Sequence, residues 1–433
     1  MSEKLMTGSG YRLPAMEPIP IGTREDTTTH ETFYLEDRRR HLVCWGMTGV
    51  GKSTLLQNIA EWNIREGLGC TVIDPHGSIV ESLLTRIPKG RTRDVIYINP
   101  QLQRVIGVNI FAGVGTIDQK VSAVVDAFRK MFSDAWGYQS EQILRWSLYT
   151  ILEGHTPTFL TLGRLINDPA YRVKVTKKLK NKNAKAFFEH LDSKSMEKFR
   201  AERLAPLANK VDQFVTNELL QAVFGQTAEA FDFRDAIDTN KIILCNVSEG
   251  GIGKQEAAIL GGFIFSKLFF AGLSRQDIHE SQRKLHTIIV DEFQNFITAP
   301  IDYVLAESRK YGLYLGLGTQ TAAALPVNIR TAIFGNVANN AVYRVGGQDA
   351  ELLNKELSTN LPPYLLQDLP DYRAYIRKLV YFEKLDAMKP VGPFLVRMFP
   401  PSKKYGDEQE KEKVIYESLK RYGQDKAKIL KSF

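Results

Sequence analysis

The stretch Gly46–Ser53, GMTGVGKS, fits the pattern GxxxxGK[ST]. The apolar, strand-like segment HLVCWG precedes it. After it, KSTLLQNIAEWNIREG places Leu55, Ile59 and Trp62 on one helical face and ends at Gly67. A strand that turns through glycines into a helix brings backbone N–H groups and the positive helix end to one point, a cradle for phosphate. Such a loop requires a strand–helix unit, and that unit belongs in a parallel sheet covered by helices. Gly46, Thr48, Gly49, Val50, Gly51 and Thr54 build the loop and open the helix. Lys52 is placed to reach the β- and γ-phosphates of ATP, and the Ser53 hydroxyl to ligate Mg²⁺.

The rest of the chain repeats the alternation. TFYLED, GCTVIDPHG and DVIYINP read as strands before residue 117, and KIILCNVS, LHTIIVDEF, YLGLGTQ, AVYRVGG and RAYIRKLV after residue 232. Between them strand-like runs vanish and helical patterns follow one another, as in QKVSAVVDAFRKMF and SEQILRWSLYTILEG. The expected organisation is α/β: residues 1–116 hold an N-terminal segment and the first part of the nucleotide-binding domain. Residues 117–232 form an all-helical insertion, 233–400 the second part of the domain, and 401–433 a charged C-terminal tail.

A Mg²⁺ site needs a carboxylate at the end of a neighbouring strand. HTIIVDE supplies Asp291 to hold the metal and Glu292 to polarise the attacking water. Alone, an acidic pair after a strand caps a loop; beside a phosphate loop it reads as chemistry. Gln320 ends the strand of GLGTQ, where it can sense a γ-phosphate. Arg309, in ESRKYG, lies between these strands and reads by itself as a solvated arginine. SEGGIGKQ (Ser248–Gln255) imitates a second phosphate loop, but Ser248 replaces the first glycine and Gln255 the hydroxyl, so it is read as a turn. His76 in DPHG has no partner His or Cys nearby and reads as part of a turn. YRVKVTKKLKNKNAK (Tyr171–Lys185) carries seven basic residues and no acid; it is either a solvated face or a nucleic-acid contact.

Composition adds little. A net charge of +8 permits an anionic partner without identifying one. Cys44, Cys70 and Cys245 each fall in a short apolar run without metal-like spacing, as free core thiols of a reducing compartment would. The apolar stretch AILGGFIFSKLFFAGL is interrupted by Lys267 and too short for a membrane span, which needs about 20 residues. It reads as a buried helix. The N-terminal residues lack the apolar centre of a signal peptide.

Taken in order, GMTGVGKST, VIDPHGSIVESLL, DVIYINP, IILCNVSEGGIG, IIVDEFQNF, ESRKYGLYLGLGTQ and GNVANNAVYRVGGQDAELL resemble the FtsK–HerA superfamily. The closest likeness is to the type IV secretion coupling proteins, the conjugative DNA-transfer ATPases, from about Ile19 to Pro401. The resemblance implies a RecA-like P-loop NTPase domain in a homohexameric ring that moves DNA through its pore by hydrolysing ATP. It also implies the metal role for Ser53 and Asp291 and the catalytic role for Glu292. Gln320 becomes the sensor, and Arg309 the arginine supplied to a neighbour's nucleotide. Unlike membrane-anchored members, the chain is expected to lack a transmembrane segment. It would reach a membrane secretion channel through a partner, in the cytoplasm or at the cytoplasmic face of the membrane. A protein-secretion or pilus-assembly motor and a nucleotide-gated scaffold of a defence complex are the alternatives.

Overall fold

Residues 18–33, 40–112, 116–132, 135–154, 157–296, 301–358, 361–382, 387–404 and 406–431 are described in the computed structural model. The extreme N-terminus and the end of the TFYLED segment lie outside them.

The strands are β1 (Ile19–Arg24), β2 (His30–Phe33), β3 (Leu42–Trp45), β4 (Gly69–Asp74), β5 (Val95–Ile98) and β6 (Arg104–Ile106). They continue with β7 (Ile242–Asn246), β8 (His286–Val290), β9 (Leu313–Thr319), β10 (Asn339–Val342), β11 (Arg373–Phe382), β12 (Ala387–Met398) and β13 (Gly423–Asp425). Eleven of them make one sheet in the order β2-β1-β12-β11-β10-β3-β9-β8-β4-β7-β5. From β10 to β5 every neighbour is parallel. The α/β class expected from the strand–helix alternation is therefore present. Beyond β10 the pairing is antiparallel: the β11–β12 hairpin and the β1–β2 hairpin extend the sheet. Periodicity revealed β11 but neither β12 nor β1, whose prolines and glycines break the apolar pattern although both strands are paired on each side.

The parallel strands are apolar along their whole length because both faces are covered. Alternate residues feed two cores. Leu42 and Cys44 of β3 pack with Leu55, Leu56 and Ile59 of the helix Lys52–Arg65 on one face. Val43 and Trp45 join the core of the other face. The three cysteines are buried and unpaired.

That second face is covered by the helix Lys254–Leu273, which is apolar all round because it is buried on two sides. The sheet lies beneath it and the helices between Ile117 and Phe224 lie above. Phe263 meets Phe128, Phe159, Phe214 and Phe224 of those helices, and Phe159 stacks on Phe214 with centroids 4.2 Å apart. The helical insertion thus shares one apolar core with the sheet. Lys254–Asp277 has the length and mean hydropathy (1.7) of a membrane span, but 67% of its most apolar window is buried in this core.

The C-terminal helix Glu408–Tyr422 lies along the β5 edge, where Ser418 Oγ accepts the Tyr97 N–H at 2.8 Å. β13 then pairs with β6, so the last residues clasp the sheet edge.

Candidate nucleotide site

β3 ends at Trp45, and the loop after it closes on Gly51, a left-handed N-cap (φ 111°) from which the helix Lys52–Arg65 starts. No side chain caps this helix, which leaves its first N–H groups available to an anion in the loop. Thr48 and Gly49 are exposed at the tip, Val50 anchors the loop in the core, and Thr54 is half-buried. Lys52 is 4% exposed, and its Nζ donates to Gly46 O at 2.6 Å and Met47 O at 2.8 Å. Burial pushes its pKa down, against the opposing pull of Glu292 and Asp291. The ammonium is thus held inside the loop by carbonyls.

β8 delivers the acidic pair. Ser53 Oγ donates to Asp291 Oδ2 at 2.6 Å, across 238 residues of chain. Glu292 adopts a left-handed backbone (φ 45°, ψ 50°) and donates its N–H to Asp291 Oδ1 at 3.1 Å. Its own carboxylate is gripped by two amides: Gln320 Nε2 reaches Oε1 at 2.9 Å and Gln294 Nε2 reaches Oε2 at 2.8 Å. Asp291 is 2% exposed. Burial raises its pKa, and the neighbouring Glu292 and Asp74 carboxylates add to that rise. A hydroxyl and a carboxylate in contact, buried with excess negative charge, form a hard-oxygen pair suited to Mg²⁺. No group of three or more His, Cys, Asp or Glu side chains able to hold a metal occurs among the described residues. A cation here would therefore take Ser53 and Asp291 together with phosphate oxygens and water.

Two neighbours keep the pair in place. A Cβ on Gly318 of β9 would lie 2.4 Å from Asp291 Oδ1, so only glycine leaves that carboxylate room. Asp74 accepts the N–H groups of His76, Ile79 and Val80 at 2.7–3.1 Å and thereby starts the helix Ser78–Leu84. His76 is exposed in that turn.

The structure brings Lys52, Ser53, Asp291, Glu292 and Gln320 together, but not Arg309. Arg309 is exposed in the turn Ser308–Tyr311 before β9, beside His41 and Arg40, whose pKa values its charge helps to lower. The length of β9, about 3.3 Å per residue and so roughly 20 Å, separates it from Gln320. SEGGIGKQ forms the short helix Glu249–Ile252 and a break at Gly253 before the long apolar helix. In the basic run, Arg172 is buried. It pairs with Asp192 at 2.8 Å and caps the carbonyls of Leu165 and Ile166. Lys174, Lys177, Lys178, Lys180 and Lys182 are exposed, and none joins a described ion pair. A cavity of about 680 Å³ lies away from the phosphate loop and the acidic pair, beside Glu229, Phe233 and Lys267. Lys267 is tied there to Asn109 O, Ala112 O and Glu229.

Sequence reasoning missed Gln294, Gly318 and Tyr372. The first stands two residues after Glu292 with no pattern to mark it. The second had a signal, since glycine inside a strand announces a close approach. The third lies against Gly51 of the phosphate loop, brought there from a distant part of the chain.

A family model, the type IV secretion-system coupling protein DNA-binding domain, matches residues 32–351. Among solved structures, the bacterial conjugative coupling protein TrwBdeltaN70 in its unbound form is similar at 17% identity and TM-score 0.63, covering 93% of this chain and 95% of that one. TrwB with a non-hydrolysable ATP analogue matches at 18% identity and TM-score 0.64, over 90% and 96% of the two chains. VirB4 of Thermoanaerobacter pseudethanolicus matches at 13% identity and TM-score 0.55, over 92% and 100%. No curated protein matches. The fold likeness covers the sheet and helices alike, and the family match spans both the phosphate loop and the acidic pair: the chain belongs to the type IV secretion-system coupling proteins.

Proposed function

We propose that this chain is a motor that couples ATP hydrolysis to movement of DNA through a ring of six copies, feeding a membrane secretion channel through a partner from the cytoplasmic side. The ATPase and DNA-transfer character follows from family membership; the ring and the individual residue roles are our extension. The related TrwB is described in complex with an ATP analogue, a GTP analogue, and ADP with Mg²⁺.

One observation carries the reading: Glu292, oriented by Gln294 and Gln320, stands beside a Ser53–Asp291 pair and a loop-held lysine. In this reading Lys52 turns from the loop carbonyls to the β- and γ-phosphates. Ser53 and Asp291 would hold Mg²⁺, which when bound would supply countercharge to the phosphates. Glu292 accepts a proton from the attacking water, and Gln320, bonded to Glu292 and exposed at the strand end, reports the γ-phosphate to that carboxylate. Arg309 lies too far from its own chain's Glu292 to help, so it serves a neighbouring copy. The exposed lysines from Lys174 to Lys182 meet DNA phosphates. ATPase rate with no DNA, single-stranded DNA and duplex DNA, at two salt concentrations, tests this. DNA stimulation that fades with salt is expected; a rate indifferent to both forms of DNA would transfer the motor to a protein substrate.

A further inference from the structure

Glu292 and Gln320 follow β8 and β9, which lie on one side of β3, while β10 and β11 lie on the other. An elongated nucleoside triphosphate whose reacting end faces Glu292 must therefore leave the phosphate loop toward β10 and β11. Tyr372 stands there, just before β11. Its ring lies against the last loop glycine: a Cβ on Gly51 would sit 2.9 Å from Tyr372 Cδ1. Behind the same glycine lies the fully buried Tyr343, whose Cε1 would be 3.4 Å from that Cβ.

Tyr372 is not a loosely placed surface ring. Its N–H donates to Val50 O of the loop at 2.8 Å, and its carbonyl accepts from Met398 N of β12 at 2.9 Å. Its φ of +59° is a left-handed conformation that a bulky residue holds only under constraint. Yet the residue remains 49% exposed, an open aromatic surface beside a phosphate cradle. The Arg344–Asp371 ion pair (2.7 Å) stands next to it in the chain and fixes the segment that carries it.

We infer that Tyr372 is the base-binding residue of the site, its open ring face stacking on the purine of the bound nucleotide. This rests on the nucleotide reading of the phosphate loop and deepens it. Stacking uses the face that every base possesses, so the ring adds affinity for the base without choosing adenine over guanine.

The test compares ATP with inorganic tripolyphosphate, which offers the phosphates without a base. Both are measured by equilibrium binding to the full chain and to Tyr372→Asn, Tyr372→Phe and Lys52→Ala. Asparagine tolerates the left-handed backbone, so loss of the ring is not confounded with strain. Tyr372→Asn is expected to bind ATP roughly 10- to 100-fold more weakly and tripolyphosphate as the wild type does, and Tyr372→Phe to keep ATP affinity. Tyr372→Trp adds a signal, fluorescence that ADP quenches and tripolyphosphate leaves unchanged. The assignment is overturned if Tyr372→Asn binds ATP normally, or if it loses both ligands in parallel, which would make the ring a brace for Gly51. A wild type that binds tripolyphosphate as tightly as ATP would remove the base subsite and leave the phosphate loop standing. If Lys52→Ala also left both ligands unaffected, the nucleotide reading itself would fall.

Discussion

At the residue scale, the site is a set of oxygen positions held by unlike means. Asp291 is fixed by Ser53 and by the space above Gly318, Glu292 by two amides. Substituting Glu292→Gln keeps the shape but removes the proton acceptor. It should bind ATP and hydrolyse it at least about 100-fold more slowly, accumulating ATP-bound protein in a filter-binding or chase assay. Turnover near that of the wild type would take Glu292 out of the catalytic role. Gly318→Ala presses a methyl group onto Asp291 Oδ1. We expect a stability loss of about 1–3 kcal/mol by thermal or denaturant melting, together with weaker Mg²⁺-dependent nucleotide binding. Unchanged Mg²⁺ dependence would mean that Asp291 shifts without consequence.

At the scale of elements, buried histidines anchor the starts of strands. His41, before β3, holds Leu305 O with Nε2 at 3.1 Å and accepts the Leu315 N–H at Nδ1. Burial, helped by Arg309, lowers its pKa to about 4. His286, at the start of β8, bonds Thr71 Oγ1 at 2.8 Å, and burial takes its pKa to about 3. Both folded values lie below the unfolded value near 6.5, so the unfolded chain binds the extra protons. Stability is therefore full above about pH 6.5. It falls with pH from there, ceasing to fall through these groups once each folded pKa is passed. The melting temperature should drop from pH 6.5 to pH 5, before most carboxylates titrate, and His41→Gln with His286→Gln should flatten that slope. An unaltered slope in the double variant would assign the pH response to other groups.

For the whole molecule, the governing fact is that the phosphate loop and Arg309 lie at opposite ends of the neighbouring parallel strands β3 and β9. A single copy cannot complete its own site in our reading, but two copies can. Arg309→Ala should bind ATP yet lose about 10³- to 10⁵-fold in rate. Mixing it with Lys52→Ala should restore some activity at interfaces where an intact loop faces an intact arginine. Near wild-type turnover by Arg309→Ala alone would sink the trans assignment. The insertion, sharing its core with the sheet through Phe263, presents its lysines on the outside. Neutralising Lys177, Lys178 and Lys180 together should lower the slope of log affinity for DNA against log salt by about 2 to 3. An unchanged slope would return this run to a solvated face.

The local parts of this protein were legible in the amino-acid order because each depends on contiguous backbone. The phosphate loop needs its glycines and lysine in series, the acidic pair needs only the end of an apolar run, and strands covered on both faces betray themselves as unbroken apolar segments. What touches what across the sheet was not legible. The motifs of Ser53 and Asp291 assign both to one metal, but their direct contact across 238 residues, like the grip of Gln320 on Glu292 28 residues away, follows from strand order, which local periodicity does not encode. The same holds for Arg172, one letter in a basic run and, once folded, the buried cap of a neighbouring helix. It holds also for Tyr372, an unremarked residue of DYRAY that only the side-by-side placement of β3, β10 and β11 sets against Gly51.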